Sequence, residues 1–279
     1  MSKKTVKRMK EYKYQIFIPG GNDTALVFGL EPDARRRKEI NDAIMKRFPH
    51  VEQVGFLSDL DLSHKNERPQ LFMAGGEFCG NATRSAAWRY LNGQPGEIYI
   101  KSSGVKTPLR AGVSENGEAW AEMPVSHALR DIQEIDQDCF LVRMEGISHI
   151  VIMPESALKY ISFSGDLKKS AFDILKRHNL LNLPAAGVIF LENTAGGVKI
   201  HPCVRVSAID TMFYETACGS GTVAAGLVLA YLNQASVRLP LIQPSGHTIT
   251  ADIKQQNMIV TEARISGVIQ SDYIIYNGR

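Results

Sequence analysis

The stretches GGEFCGNATRSAAW, at residues 75–88, and YETACGSGTVAAG, at residues 214–226, carry one arrangement twice. In each a Glu precedes a Cys, the Cys runs into Gly and a polar residue, Thr stands four positions on, and small residues follow. The continuations GNATRSAAWRYL and GSGTVAAGLVLAYL read as helices, and the second is apolar nearly all round, which predicts a helix enclosed by sheet. Helices that start at Gly80 and Gly219 aim free N–H groups and a positive dipole end at whatever lies before them. One such group is the Cys sulfur, whose thiolate this favours, predicting a lowered pKa at Cys79 and Cys218. The other is a carboxylate ligand, which Gly80 and Gly219 let approach the backbone with no Cβ in the way.

Outward from these turns, short β-like runs alternate with a few helical ones. YQIFIPGGNDTALVF predicts strand, Gly turn and strand, and PDARRRKEINDAIMKRF places Ile40, Ala43, Ile44 and Phe48 at helical spacing. EIYIKSSGVKTPLRAGV and EAWAEMP predict hairpin strands, with a boundary after Met123-Pro124. Beyond it come the strands CFLVRMEG and HIVIMP, an amphipathic helix in DLKKSAFDILKRHNLL, the strands AAGVIFLE and VKIHPCVRV, and then the second Cys turn. HNLLNL and ARRRKE read as solvated helix faces. The fold class predicted is α+β, built from a duplicated unit. The domains are residues 1–125 and 126–263, each with one Cys-Gly turn feeding a central helix.

Composition limits the function classes. With 279 residues and 44% hydrophobic content the chain can fill two medium cores, at roughly 100–200 residues per domain. Its 32 basic and 29 acidic residues leave a net charge of +3, with no long run of one sign outside MSKKTVKRMK, which argues against a nucleic-acid surface. That basic cluster leads into EYKYQIFI, without the apolar core of a secretion signal. GTVAAGLVLAYL falls short of the roughly 20 residues that span a bilayer, so no membrane partner and a cytoplasmic location are expected. In a reducing compartment Cys79, Cys139, Cys203 and Cys218 predict no structural disulfide, and no Cys/His spacing matches a zinc site. Cys139 and Cys203, in apolar strand-like runs, read as buried thiols.

Two Cys-bearing helix ends facing each other would hold one carboxylate between two thiols. Such a pair can take a proton from one face of the adjacent carbon and return one to the opposite face. The outcome is stereoinversion, which without an electron sink needs a base on each side.

The chain resembles the diaminopimelate epimerase superfamily of cofactor-independent, two-thiol amino-acid racemases nearly end to end. The likeness lies in GGNDTALV, EFCGNATRSA, GISHIVI, ETACGSGT and QPSG, and in ARISGVIQSDYIIY, which resembles a closing strand, residues 264–279, returning to the first domain. The resemblance implies two pseudo-symmetric domains, each a central helix in a barrel-like β-wrap, with Cys79 and Cys218 as the acid/base pair. It implies supporting roles for His149 and Glu215, and substrate contacts from Asn22, Gly80, Asn81, Gly219 and Ser220. The family's Glu-Arg pair for a distal amino-carboxylate is missing from SAIDTMFYET, Ile147 replaces an Asn, and another Asn is lost in LPAAGVIF. In EQVGF and CGSGT the chain is most similar to histidine racemases of opine-metallophore pathways, which implies histidine as substrate and Glu52 as its side-chain contact.

Plainer readings stand beside these. The Cys turns could be packing motifs or a redox pair, His149 a core histidine, Glu52 a solvated loop acid and Glu215 a turn cap. Thr83 and Thr222 are expected to bond their own helix backbone. The competing functions are diaminopimelate epimerisation, broad-specificity racemisation, amino-acid binding without turnover, and thiol-disulfide exchange. The partners expected are an amino-acid substrate and a second copy of the chain in a homodimer.

Overall fold

The computed structural model describes residues 12–29, 33–58, 69–163, 165–207, 211–272 and 274–277. The basic cluster of MSKKTVKRMK and residues 208–210 within SAIDTMFYET lie outside them. The described residues form a mixed α+β fold of 18 strands and five α-helices. The first run is β1 (Tyr12–Ile18), β2 (Thr24–Phe28), α1 (Ala34–Arg47), β3 (Gln53–Leu57), β4 (Gln70–Met73), α2 (Gly80–Tyr90), β5 (Gly96–Ser102), β6 (Leu109–Val113) and β7 (Ala119–Glu122). Then come β8 (Gln133–Asp136), β9 (Cys139–Met144), β10 (Ile147–Ile152), α3 (Pro154–Phe163), α4 (Leu167–Arg177), β11 (Ala185–Thr194), β12 (Gly197–Val206) and β13 (Thr211–Tyr214). The chain closes with α5 (Gly219–Asn233), β14 (Val237–Ile242), β15 (Thr248–Gln256), β16 (Ile259–Gly267), β17 (Gln270–Ser271) and β18 (Ile275–Asn277).

Strand pairing is continuous from one end of the fold to the other. β1 pairs antiparallel with β2, β17 and β18, so the end of the chain returns to its beginning. β2 runs parallel to β3, and β5, β6 and β7 form an antiparallel meander. β7 continues onto β16, which pairs with β15 and, through β14, reaches β12. β10 runs parallel to β11 beside the antiparallel pairs β9–β10 and β11–β12.

The two small-residue helices lie inside. Ala82, Ala86 and Ala87 of α2 pack with Phe17, Leu26, Leu57, Leu71, Ile100 and Ala121. Val223, Ala224, Leu227 and Val228 of α5 pack with Phe140, Val151, Ile189, Val204, Ile249 and Ile265. The other helices cover outer faces. Asp33 caps α1 by accepting from the Arg36 N–H at 2.8 Å, and Ile40 and Ile44 seal against Tyr14, Ile16, Val27, Val54 and Phe56. Ala43 stays exposed and Phe48 is half-buried at the helix end. β1, β2 and β3 are therefore covered on both sides, with alternate residues serving α1 and α2.

Two local differences from the sequence expectation stand out. HIVIMP ends as a strand at Ile152, and Pro154 opens the unexpected α3, where its fixed φ and missing N–H cost a first helical turn nothing. In HNLLNL, Leu180 is buried with the α4 residues Ile174 and Leu175, so that segment is no solvated helix face. No helix among the described residues is long and apolar enough to cross a membrane.

The α5 packing is tight enough to test. A Cβ on Gly226 would stand 2.8 Å from Ala251 Cβ and 3.1 Å from Ile253 Cγ1, so strands must shift to admit one. Gly226→Val adds a branched side chain there, and urea unfolding should report a loss of about 1–3 kcal/mol.

Candidate active site

Cys79 and Cys218 are the N-caps of α2 and α5, with almost equal backbone angles, φ −135° and ψ 113° against φ −132° and ψ 105°. Each sulfur accepts a helix N–H three residues on, from Ala82 and Gly221, both at 3.3 Å. Thr83 Oγ1 donates to the Cys79 carbonyl at 2.8 Å and Thr222 Oγ1 to the Cys218 carbonyl at 2.7 Å, as expected of hydroxyls bonding their own helix. Sequence repetition has become geometric repetition.

The two helix starts converge on one side chain. A Cβ on Gly80 would lie 3.0 Å from Ile265 Cδ1, and one on Gly219 would lie 2.8 Å from the same atom. The Asn81 carboxamide lies against Gly219, its Oδ1 3.4 Å from that Cβ position. A side chain on either glycine would press on Ile265, and one on Gly80 would meet Met123 Sδ first, at 2.7 Å.

The surroundings of the two sulfurs differ. Cys79 Sγ donates to Gln53 Oε1 at 2.7 Å. Cys218 Sγ lies 3.5 Å from Ser220 Oγ and hydrogen-bonds the Glu215 side chain. Ser220 Oγ is in turn 2.8 Å from Nε2 of His149, which is fully buried on β10. His149 Nδ1 has no partner and faces Gly187, whose Cβ would stand 2.5 Å away. A lone pair left unmatched there is cheaper than an N–H, which assigns the proton to Nε2 and the order His149 N–H, Ser220 O–H, Cys218 sulfur. Burial alone pushes the His149 pKa down to about 3, so the ring is neutral at ordinary pH.

The expected lowering of the thiol pKa values is reversed. Burial pushes Cys79 up to about 12, against the pull of the Ala82 N–H, with Glu77 and Glu215 adding repulsion. Burial likewise raises Cys218, and Glu215 raises it further. Glu215 itself is lifted to about 7 by burial, against its hydrogen bond from Cys218 and with the charge of Glu52 adding.

The remaining sequence candidates lie in one neighbourhood. Asn22, in the left-handed conformation at φ 55°, takes Thr216 Oγ1 at 2.7 Å with its backbone N–H and gives Nδ2 to the Ala217 carbonyl at 3.1 Å. Its Oδ1 is buried without a partner. Thr216 Oγ1 donates in turn to Glu52 Oε1, so a loop between β1 and β2 and the start of β3 both grip the segment before Cys218. Burial raises the Glu52 pKa, opposed by the Thr216 hydrogen bonds. Cys139 and Cys203 lie in strands of a separate core with Leu141, Ile150 and Val188.

The family model described as "Histidine racemase CntK N-terminal domain" matches residues 11–272. The chain belongs to this family. A histidine racemase of Fusobacterium nucleatum subsp. nucleatum is 30% identical over 241 residues, covering 82% of this chain and 84% of that protein. A histidine racemase of Staphylococcus aureus is 23% identical, covering 92% and 94%. Among solved structures, a hydroxyproline epimerase from Agrobacterium vitis with bound trans-4-hydroxy-L-proline has a TM-score of 0.62 at 11% identity, covering 96% of this chain and 93% of its own. A phenazine biosynthesis protein of the PhzF family from Enterococcus faecalis has a TM-score of 0.60 at 16% identity, covering 96% and 100%. These likenesses give the fold. Family membership makes the chain an isomerase of the racemase type.

Several residues of this racemase's site carry little sequence signal. Gln53 was within reach, because alternation along β3 puts Gln53 and Leu57 on the α2 face and Val54 and Phe56 on the α1 face. Thr216 reads as part of the Cys motif with nothing to mark its partners. Gln243, fully buried, accepts the Cys218 N–H at 3.0 Å and gives Nε2 to Thr222 Oγ1 at 3.2 Å, and only folding brings the QPSG turn to α5. Among the described residues no group of three or more His, Cys, Asp and Glu side chains is placed to hold a metal ion.

Glu215 makes a pH prediction with a definite sign. Its folded pKa of about 7 lies above the ordinary 4.5, so its contribution to stability is full below about pH 4.5 and lost as pH rises through 7. Urea unfolding between pH 4.5 and 8 should show Glu215→Gln lacking this decline, with a gain over wild type on the order of 1–3 kcal/mol at pH 8 and none at pH 4.5.

Proposed function

We propose that the protein interconverts L- and D-histidine at the α-carbon with Cys79 and Cys218 as the acid/base pair, without a cofactor, in two pseudo-symmetric halves centred on α2 and α5. The observation that carries this is the meeting of two Cys-capped helix N-termini over Ile265 Cδ1. An amino-acid carboxylate placed between the helix ends takes hydrogen bonds from both sets of free N–H groups. Its α-carbon then lies between the sulfurs, and one thiolate removes the proton while the opposite thiol supplies another.

Neither thiol ionises readily in its buried setting. The substrate ammonium brings the positive charge that favours a thiolate beside it, and the buried, unpartnered Asn22 Oδ1 is an acceptor for that ammonium. At Cys218 the Ser220 hydroxyl, held by neutral His149, donates to the anion as it forms, and Glu215 near pH 7 can take the proton. At Cys79 the Gln53 carbonyl holds the S–H proton, which suits a resting acid.

Histidine fits the polar inventory. Glu52 and Glu215 interact across Thr216, offering acidic acceptors to an imidazole N–H. Diaminopimelate would need partners for a second amino-carboxylate, and the Glu-Arg pair that provides them elsewhere is missing from SAIDTMFYET. A reducing, cytoplasmic setting suits a pair of thiols that must stay free.

Purified protein in EDTA, without pyridoxal phosphate, is expected to racemise histidine by chiral chromatography and to exchange its α-proton in deuterium oxide. Diaminopimelate, alanine, serine and glutamate should turn over more slowly, and faster diaminopimelate turnover would refute the assignment. Cys79→Ser and Cys218→Ser should each abolish racemisation, with far less than additive loss in the double variant. Ser220→Ala should lower kcat roughly tenfold to a hundredfold by removing one hydrogen bond to the developing thiolate. Glu52→Gln should weaken histidine turnover while leaving the urea midpoint nearly unchanged.

A further inference from the structure

Arg84 is the largest fully buried side chain described, five residues after Cys79 on α2. No carboxylate pairs with it among the described residues. Cys79 and, less strongly, Glu118 act on it electrostatically, but the Glu118 carboxylate is directed to Ser266 Oγ at 3.5 Å and Arg238 at 3.9 Å. The guanidinium gives Nε and Nη2 to Asn81 Oδ1 at 3.3 and 3.2 Å and Nη2 also to the Pro19 carbonyl. Nη1 is buried without a partner, 3.0 Å from where Gly267 would carry a Cβ. Burial lowers the pKa to about 10, which leaves the group charged at neutral pH. An unpaired buried charge is costly to keep, and this one binds the same Asn81 carboxamide that lies against Gly219.

We propose that Arg84 is the positioning cation of the substrate-carboxylate cradle, orienting Asn81 through its Oδ1 and gaining its missing anion when an amino-acid carboxylate enters between the helix ends. This rests on the racemase reading above but concerns the carboxylate alone, whichever side chain accompanies it. With Oδ1 held by two guanidinium N–H groups, the Asn81 Nδ2 edge is committed to the opposite direction as a donor. The Pro19 bond fixes the loop whose Asn22 reaches Thr216 and Ala217, so one cation sets the α2 start and the loop that grips the α5 start.

The test compares binding of L-histidine and L-histidinamide by calorimetry in wild type, Arg84→Lys and Arg84→Met, with urea unfolding alongside. Wild type is expected to favour the carboxylate by about tenfold or more, Arg84→Lys to keep most of that preference with a lower kcat, and Arg84→Met to lose it. Full retention of the preference in a folded Arg84→Met overturns the proposal. If Arg84→Met does not fold, Asn81→Asp decides, because it gives the guanidinium an anion of its own. That variant should unfold at higher urea and show no carboxylate preference, and a lower urea midpoint overturns the claim that the cation is uncompensated. A wild type that binds no histidine sinks the substrate assignment instead, and the same acid-and-amide comparison with whichever amino acid it turns over then decides the role of Arg84.

Discussion

The N-termini of α2 and α5 meet over a single methyl group, Ile265 Cδ1, and much of the molecule is arranged to let them. Ile265 is fully buried on β16, the strand that pairs with β7 on one side and β15 on the other. The approach is possible only because Gly80 and Gly219 present no Cβ toward it. Around each helix the strands supply an apolar enclosure, and the helices answer with Ala, Gly and Thr, whose small side chains let sheet and helix backbones come close. What the enclosure delivers is two helix N-termini side by side, each with its Cys sulfur accepting the N–H three residues on.

The same enclosure sets the electrostatics of the sulfurs. A helix N-terminus favours an anion by roughly 0.3–1 kcal/mol, and up to about 2 in good buried geometry. Moving Cys79 from an ordinary 9.0 to about 12 corresponds to ~4 kcal/mol against ionisation. Burial wins over the helix end, so a thiolate there needs further positive charge beside it. The near-twofold geometry is also broken by chemistry, since Cys79 faces a neutral amide at Gln53 and Cys218 faces a carboxylate and a hydroxyl. One repeated backbone frame thus holds two thiols in unlike polar surroundings.

Asn22 Oδ1 and Arg84 Nη1, on residues bonded to the segments around the two Cys turns, are among the buried polar atoms without a partner in the described residues. Each belongs to a side chain whose other polar atoms are fully engaged, so each holds a fixed orientation at an energetic cost. Residues that fix Asn22, Thr216 and Glu52 against one another bridge the segment before Cys218 and the loops before β2 and β3. Polar groups held in this way gain by receiving a partner, which is the arrangement expected of a site organised before its ligand arrives.

The family resemblance supplied the candidate residues Asn22, Glu52, His149 and Glu215, while the sequence patterns themselves determined the twin Cys-capped helices, their enclosure by sheet, and the strand and helix order over most of the chain. These follow from local rules: strand alternation, helical spacing, and the meaning of Gly, small residues and Thr after a Cys. α3 escaped because Pro154 could end a strand as well as open a helix, and the sequence there does not distinguish the two. Only the tertiary structure decided that both glycines face Ile265, that Gln53 and Gln243 reach the two Cys turns, that Ser220 lies between His149 and Cys218, and that Arg84 is a buried cation inside a helix of small residues. Those contacts join residues tens to hundreds of positions apart. The thiol pKa direction failed for the same reason, because burial is a property of everything packed around the sulfur and the helix dipole only of the residues that follow it.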